Sequence, residues 1–129
     1  MANTPEGLVK DKVRAILKAA GIYHFTPMSF GMARSGIPDI IACVNGRFLA
    51  IECKAGRGKV TTLQAAEIAN IVRSGGVALV ITEHDLDLLR SVIRTLHGMV
   101  PITIPTPQEP THDHEVIEAP VARRRTTGT

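Results

Sequence analysis

Residues Ile37–Lys54 read IPDIIACVNGRFLAIECK: two apolar, β-branched runs joined by Asn45-Gly46. Asn-Gly between such runs is the strongest short-range hairpin signal and implies a two-residue type I′ turn. Val44 then faces Arg47, and counting outward along the strands sets Asp39 opposite Glu52. Opposed residues share one face of a sheet, with Cβ atoms about 5 Å apart. Lys54 lies two residues beyond Glu52 and points the same way. The same alternation sends Cys43 and Cys53 to opposite faces, which argues against a disulfide between them. Both cysteines are expected to be small buried apolar residues.

Two carboxylates and an ammonium therefore meet at the open end of an apolar hairpin. Like charges this close are costly unless a positive group stands between them. A hard divalent cation, Mg²⁺ or Mn²⁺, suits oxygen ligands with open positions better than zinc does. Asp39 and Glu52 would be its side-chain ligands, and the backbone carbonyl of Cys53 a third. Lys54 could orient a water or balance charge developing on a phosphate. The alternative is a structural ion pair of Lys54 with Glu52 or Asp39 at a strand end.

Working outward, Thr4-Pro5-Glu6 reads as an N-cap followed by proline at the first helical position. Val9, Val13, Ile16, Leu17 and Ala20 follow at helical spacing, and Gly21 ends the run. The opposite stripe is Glu6, Lys10, Arg14 and Lys18. A strand is expected at Ile22–Thr26, then a glycine-containing loop over Phe30–Pro38. Strands are expected at Asp39–Val44 and Arg47–Lys54. The basic loop AGRGKV (residues 55–60) leads to a helix over Thr62–Ser74, stopped by Gly75-Gly76. Val77–Thr82 reads as a strand, and Asp85 as the cap of a last helix reaching His97. The order αβββαβα is that of a mixed α/β domain.

The chain has 129 residues, 44% hydrophobic and 21% charged, which fits one globular domain and excludes a wholly disordered chain. No apolar run approaches the roughly 20 residues of a membrane span. The stretch MANTPEGLVK lacks the charged-then-apolar pattern of an export signal, so no membrane and a cytoplasmic location are expected. Composition changes near residue 100. Residues 101–129 hold five of the eight prolines and read as a tail or arm, leaving residues 1–100 as the folded domain. His112-Asp113-His114-Glu115 and Arg123-Arg124-Arg125 belong to this tail. The first 100 residues carry 12 basic and 8 acidic side chains, so the basic character belongs to the domain. Aromatics are only 3% of the chain, which argues against base stacking but not against phosphate binding.

Ser35-Gly36-Ile37-Pro38-Asp39-Ile40, then Ile51-Glu52-Cys53-Lys54, then Thr62-Leu63-Gln64, with Glu6 in the first helix, resemble the PD-(D/E)XK nuclease superfamily. Within it, the pattern resembles the virus-type replication–repair nuclease (VRR-NUC) domain in its stand-alone phage or bacterial form. The resemblance runs from residue 4 to about residue 97. It implies a restriction-endonuclease-like core, a central mixed β-sheet flanked by helices. It also implies that Asp39 and Glu52 bind metal, Lys54 is catalytic, Gln64 supports the site and Glu6 completes it. Metal-dependent phosphodiester hydrolysis by a homodimer acting on branched DNA, such as four-way junctions, is the activity implied.

Around that site, Lys10, Arg14, Lys18, Arg34, Ser35, Arg57 and Lys59 are candidate DNA contacts, made chiefly to phosphates. A solvated helix face is the alternative for the first three, and an ordinary polar connection for the loop residues. Two other functions fit the same residues. One is a non-catalytic DNA-binding or assembly module on the same fold. The other is a nuclease acting on flaps, linear duplex ends or RNA.

Overall fold

The computed structural model describes residues 4–28 and 34–102. Seven elements follow the expected order: α1 (Pro5–Ala19), β1 (Tyr23–Phe25), β2 (Ile40–Val44), β3 (Arg47–Cys53), α2 (Thr62–Arg73), β4 (Val77–Ile81) and α3 (Leu86–His97). The strands form one mixed sheet in the order β1-β2-β3-β4. The β1–β2 and β2–β3 pairs are antiparallel and β3–β4 is parallel, with α2 as the crossover. This is the α/β, restriction-endonuclease-like architecture of a mixed sheet flanked by helices. The tail residues 103–129, including the His112–Glu115 and Arg123–Arg125 clusters, lie outside the described residues, as does Phe30.

The hairpin register is the expected one, from Val44 opposite Arg47 to Ile40 opposite Ile51. Asn45 and Gly46 both have positive φ, 53° and 79°, as a type I′ turn requires. The chain after α3 is pinned on this turn: the Asn45 side-chain amide donates to the Leu96 and Met99 carbonyls, and Arg47 donates to that of Val100.

α1 begins as its sequence dictates. The Thr4 hydroxyl accepts the Gly7 amide N–H at 3.0 Å, and Pro5 opens the helix without losing a hydrogen bond. Val9, Val13 and Leu17 are buried, as are Leu89, Ile93 and Leu96 of α3. They cover one face of the sheet, where Ile40, Ala42, Val44, Leu49, Ile51, Cys53 and Ile81 complete a single core. α3 starts at Leu86, but Asp85 does not cap it in the usual way. Its carboxylate turns back and accepts from the amide and hydroxyl of Thr82, so no side-chain cap forms.

The opposite face is covered less completely. α2 packs on β4, and none of its residues is fully buried; Leu63 and Val72 are more than half exposed. On β1 and β2 this face carries Tyr23, Phe25 and Cys43 in the open, with Phe48 of β3 beside them. Cys43 is thus exposed rather than buried, because no described helix reaches its half of the sheet; Cys53, on the core face, is buried. The two remain free thiols, as their opposite faces require. Burial, and then the nearby acids, push the Cys53 thiol up to about 12, so it behaves as core.

Candidate metal centre

Four segments converge at the open end of the hairpin. Asp39 precedes β2 by one residue, Glu52 is next to last in β3, Glu6 lies in the first turn of α1, and Gln64 in the first turn of α2. One carboxylate oxygen from each of Glu6, Asp39 and Glu52 lies within 4.8 Å of the other two. The hairpin alone brings Asp39 to Glu52; the packing of α1 on the core face brings Glu6 to both.

Each carboxylate is held differently. Asp39 Oδ2 accepts the Cys53 amide N–H at 2.9 Å, which ties the start of β2 to the end of β3. Its Oδ1 lies 2.9 Å from Lys10 Nζ. Glu52 is buried to 3% exposure. Its Oε1 accepts from Gln64 Nε2 at 2.9 Å, while Oε2 has no hydrogen-bond partner among the described residues. A buried carboxylate oxygen without a partner costs free energy, and a cation is the natural group to meet it. Burial first, then the Asp39 carboxylate, push Glu52 up to about 7, against a smaller opposing pull from Lys54. Glu6 is the most accessible of the three acids.

Lys54 extends between two acids, its Nζ 3.7 Å from Glu52 Oε1 and 3.8 Å from Glu6 Oε1. These distances are ion pairs without direct hydrogen bonds, so the ammonium keeps donors for a further oxygen. For Lys10, partial burial lowers the ammonium pKa, but the hydrogen bond and attraction to Asp39 outweigh it and leave it raised. Three acids and two lysines leave the cluster one negative charge in excess when all are ionised. The residues fit a hard divalent cation: carboxylate oxygens from three elements, one of them unsatisfied, at an end of the sheet open to solvent.

The candidate DNA contacts are placed unequally. Arg57 and Lys59 are exposed, and Lys59 lines a groove with Glu6 and Lys54. Ser35 lines a second cleft with Lys10, Arg34 and Asp39. Arg34 pairs with Glu67 of α2, and Arg14 donates to the Thr26 hydroxyl at 2.8 Å. Lys18, three turns along α1 from Glu6, stands about 18 Å away along the helix axis. Three residues enter that the sequence reading passed over. Glu67 neutralises Arg34. Glu83 accepts the Gly56 amide N–H through both carboxylate oxygens and so anchors the basic loop. Thr61 caps α2 in a capping box with Gln64. Only the last had a local signal, the Thr-x-x-Gln spacing of residues 61–64; the partners of Arg34 and Gly56 are 33 and 27 residues away.

The sequence profile of the archaeal Holliday junction resolvase (Hjc) family matches residues 13–96, from the middle of α1 to the end of α3. The chain belongs to the archaeal Holliday junction resolvase (Hjc) family. It is therefore a PD-(D/E)XK-like nuclease, a DNA endonuclease of the Holliday-junction-resolvase kind. The chain is also 32% identical over 83 residues to a protein provisionally named nuclease p44, of Acyrthosiphon pisum secondary endosymbiont phage 1. That alignment covers 63% of this chain and 85% of the phage protein. The family match includes Asp39, Glu52, Lys54 and Gln64, whereas Glu6 and Lys10 lie outside it. No helix among the described residues is long and apolar enough to cross a membrane.

Proposed function

We propose that this resolvase-family chain cuts four-way DNA junctions with Mg²⁺ or Mn²⁺ held by Asp39, Glu52 and the Cys53 backbone carbonyl, with Glu6 completing the set. The observation that carries the reading is the buried, unpartnered Glu52 Oε2 inside a cluster of three acids at the end of the sheet. A divalent cation bound there would lower the pKa of a water and polarise the phosphodiester.

The protein's own groups do the rest. The Cys53 amide fixes the rotamer of Asp39, and Gln64 fixes that of Glu52, so both carboxylates are in place before substrate arrives. Lys54, held near two acids, offers its ammonium to charge developing on the phosphate. Arg57, Lys59 and Ser35 contact the flanking backbone, and specificity comes from DNA shape rather than base edges. A four-way junction has two-fold character and the described residues hold one three-acid cluster, so paired incision requires a symmetric homodimer. Residues 1–100 are read as the nuclease domain and the proline-rich residues 101–129 as a tail or arm. The order of the motifs around Asp39, Glu52 and Gln64 supports a place with the stand-alone VRR-NUC domains. A cytoplasmic location completes the reading.

The test is a substrate panel of four-way junction, flap, linear duplex and RNA, each with Mn²⁺ or EDTA. The wild type should cut the junction in Mn²⁺ alone, and Asp39→Ala and Lys54→Ala should lose at least about a hundredfold in rate, the scale of one lost electrostatic contact. Cleavage persisting in both variants sinks the site. Tight junction binding without cleavage under any metal favours a binding module, and a preference for flaps, ends or RNA replaces the substrate. Sedimentation showing a monomer under cleaving conditions removes the dimer.

A further inference from the structure

Lys10 and Lys54 both carry the wrong sign for a metal ligand, and of the two Lys10 is the one within hydrogen-bond distance of a proposed ligand. Its Nζ lies 2.9 Å from Asp39 Oδ1, closer than Lys54 comes to either of its acids. Asp39 Oδ2 is already committed to the Cys53 amide. A cation binding Asp39 through Oδ1 therefore meets the Lys10 ammonium at the same oxygen.

Lys10 also has somewhere to go. Its side chain is about one-third exposed and lines an open cleft of about 400 Å³ together with Thr26, Ser35, Gly36, Pro38 and Asp39. Four flexible methylenes let the ammonium swing from Asp39 into that cleft without moving α1. An anionic oxygen seated in the cleft would draw it away from the acid.

We infer that Lys10 is a positioning residue that couples metal loading to DNA binding, competing with the divalent cation for Asp39 until a DNA phosphate in the adjacent cleft takes its ammonium. The inference rests on the proposed metal centre and adds the order in which it fills. The charges favour that order. With both lysines in place the ionised cluster is −1, and a divalent cation makes it +1. A phosphate that takes the Lys10 ammonium leaves Asp39 to the cation, and a cation on Asp39 frees the ammonium for phosphate, so each improves the site for the other with or without Lys54, and the coupling is reciprocal.

The experiment compares wild type with Lys10→Met and Lys10→Arg. Each full-length, metal-stripped protein is titrated with Mn²⁺ and free Mn²⁺ is read by electron paramagnetic resonance. Without DNA, Lys10→Met should bind Mn²⁺ about tenfold more tightly than wild type, and Lys10→Arg should stay within about threefold of it. A second measurement uses fluorescence anisotropy of a labelled four-way junction in the Lys54→Ala background. Mn²⁺ should tighten junction binding there, and adding Lys10→Met should remove most of that gain. Lys10→Gln provides a second uncharged side chain, with circular dichroism confirming the fold of every variant. Unchanged or weaker Mn²⁺ binding by both uncharged variants, in a protein where Asp39→Ala abolishes it, overturns the role of Lys10 and leaves the metal centre standing. No Mn²⁺ binding by any variant, wild type included, overturns the metal centre and the coupling with it.

Discussion

Gln64 joins the first turn of α2 to the buried end of β3 with the two ends of one amide. Its Oε1 accepts the Thr61 amide N–H at 2.9 Å and its Nε2 donates to Glu52 Oε1, also at 2.9 Å. The capping bond dictates which way the amide points, and the donor end is thereby aimed at the carboxylate. A helix-starting device and a site-orienting device are the same side chain.

Gln64→Glu should separate these two duties. The carboxylate can still accept the Thr61 N–H, but it places a fourth acid against Glu52 and supplies no donor. In EDTA at pH 8 it should be less stable than Gln64→Ala by about 1 kcal/mol or more, the scale of a buried group left unpaired. At pH 5 the gap should shrink as the acids take up protons. Urea titrations at both pH values measure this, and a Gln64→Glu protein as stable as wild type at pH 8 would count against the shared bond.

Glu52 gives the metal-stripped protein a specific pH dependence. Its carboxyl is raised from 4.5 to about 7 in the folded chain, chiefly by burial. The folded state therefore holds this proton more tightly than the unfolded state does. That contribution is complete below about pH 4.5 and is lost as pH rises through about 7, a change of about 3 kcal/mol. Glu52→Gln should abolish the loss in this window, be more stable than wild type at pH 8 in EDTA, and lose cleavage. Denaturant unfolding between pH 4.5 and 8 is the measurement, and an equal slope in wild type and variant would contradict it.

Gly36 faces a sterically closed position. A Cβ there would lie 2.6 Å from the Leu63 carbonyl carbon and oxygen and 2.9 Å from the Gln64 nitrogen, at φ +89°. Gly75 has the same φ but nothing within 4 Å, so Gly75→Ala reports backbone strain alone. That strain should cost about 1 kcal/mol or more. Gly36→Ala should lose more stability than Gly75→Ala and should also slow cleavage, because the collision pushes the Asp39 loop away from the turn that carries Gln64. Thermal melts and single-turnover rates of the pair decide it; equal effects on both would remove the steric argument.

Much of this was legible in the chain. The hairpin was, because a two-residue Asn45-Gly46 turn permits one register, and that register sets Asp39 across from Glu52. The start of α1 was legible too, because Thr4 and Pro5 act within one turn. The exposed flank of α2 was not. Leu63 and Val72 are apolar residues of a helical pattern, yet the helix packs chiefly on β4 and leaves them more than half exposed. Nor was the fate of the basic residues. Arg34 reads as a free cation, but Glu67 is brought to it by the packing of α2. Lys10 reads as one step in a basic stripe, but α1 sets it against Asp39.

The division follows the range of the forces. Turn chemistry, capping and strand alternation act over a few residues, so the sequence by itself determined the order of elements and the pairing of Asp39 with Glu52. Glu6 and Lys10 reach that pair only because Val9, Val13 and Leu17 bury the other side of their helix in the core. Burial of those three side chains sets the rotation of α1, and that tertiary choice decided which charges surround the metal centre.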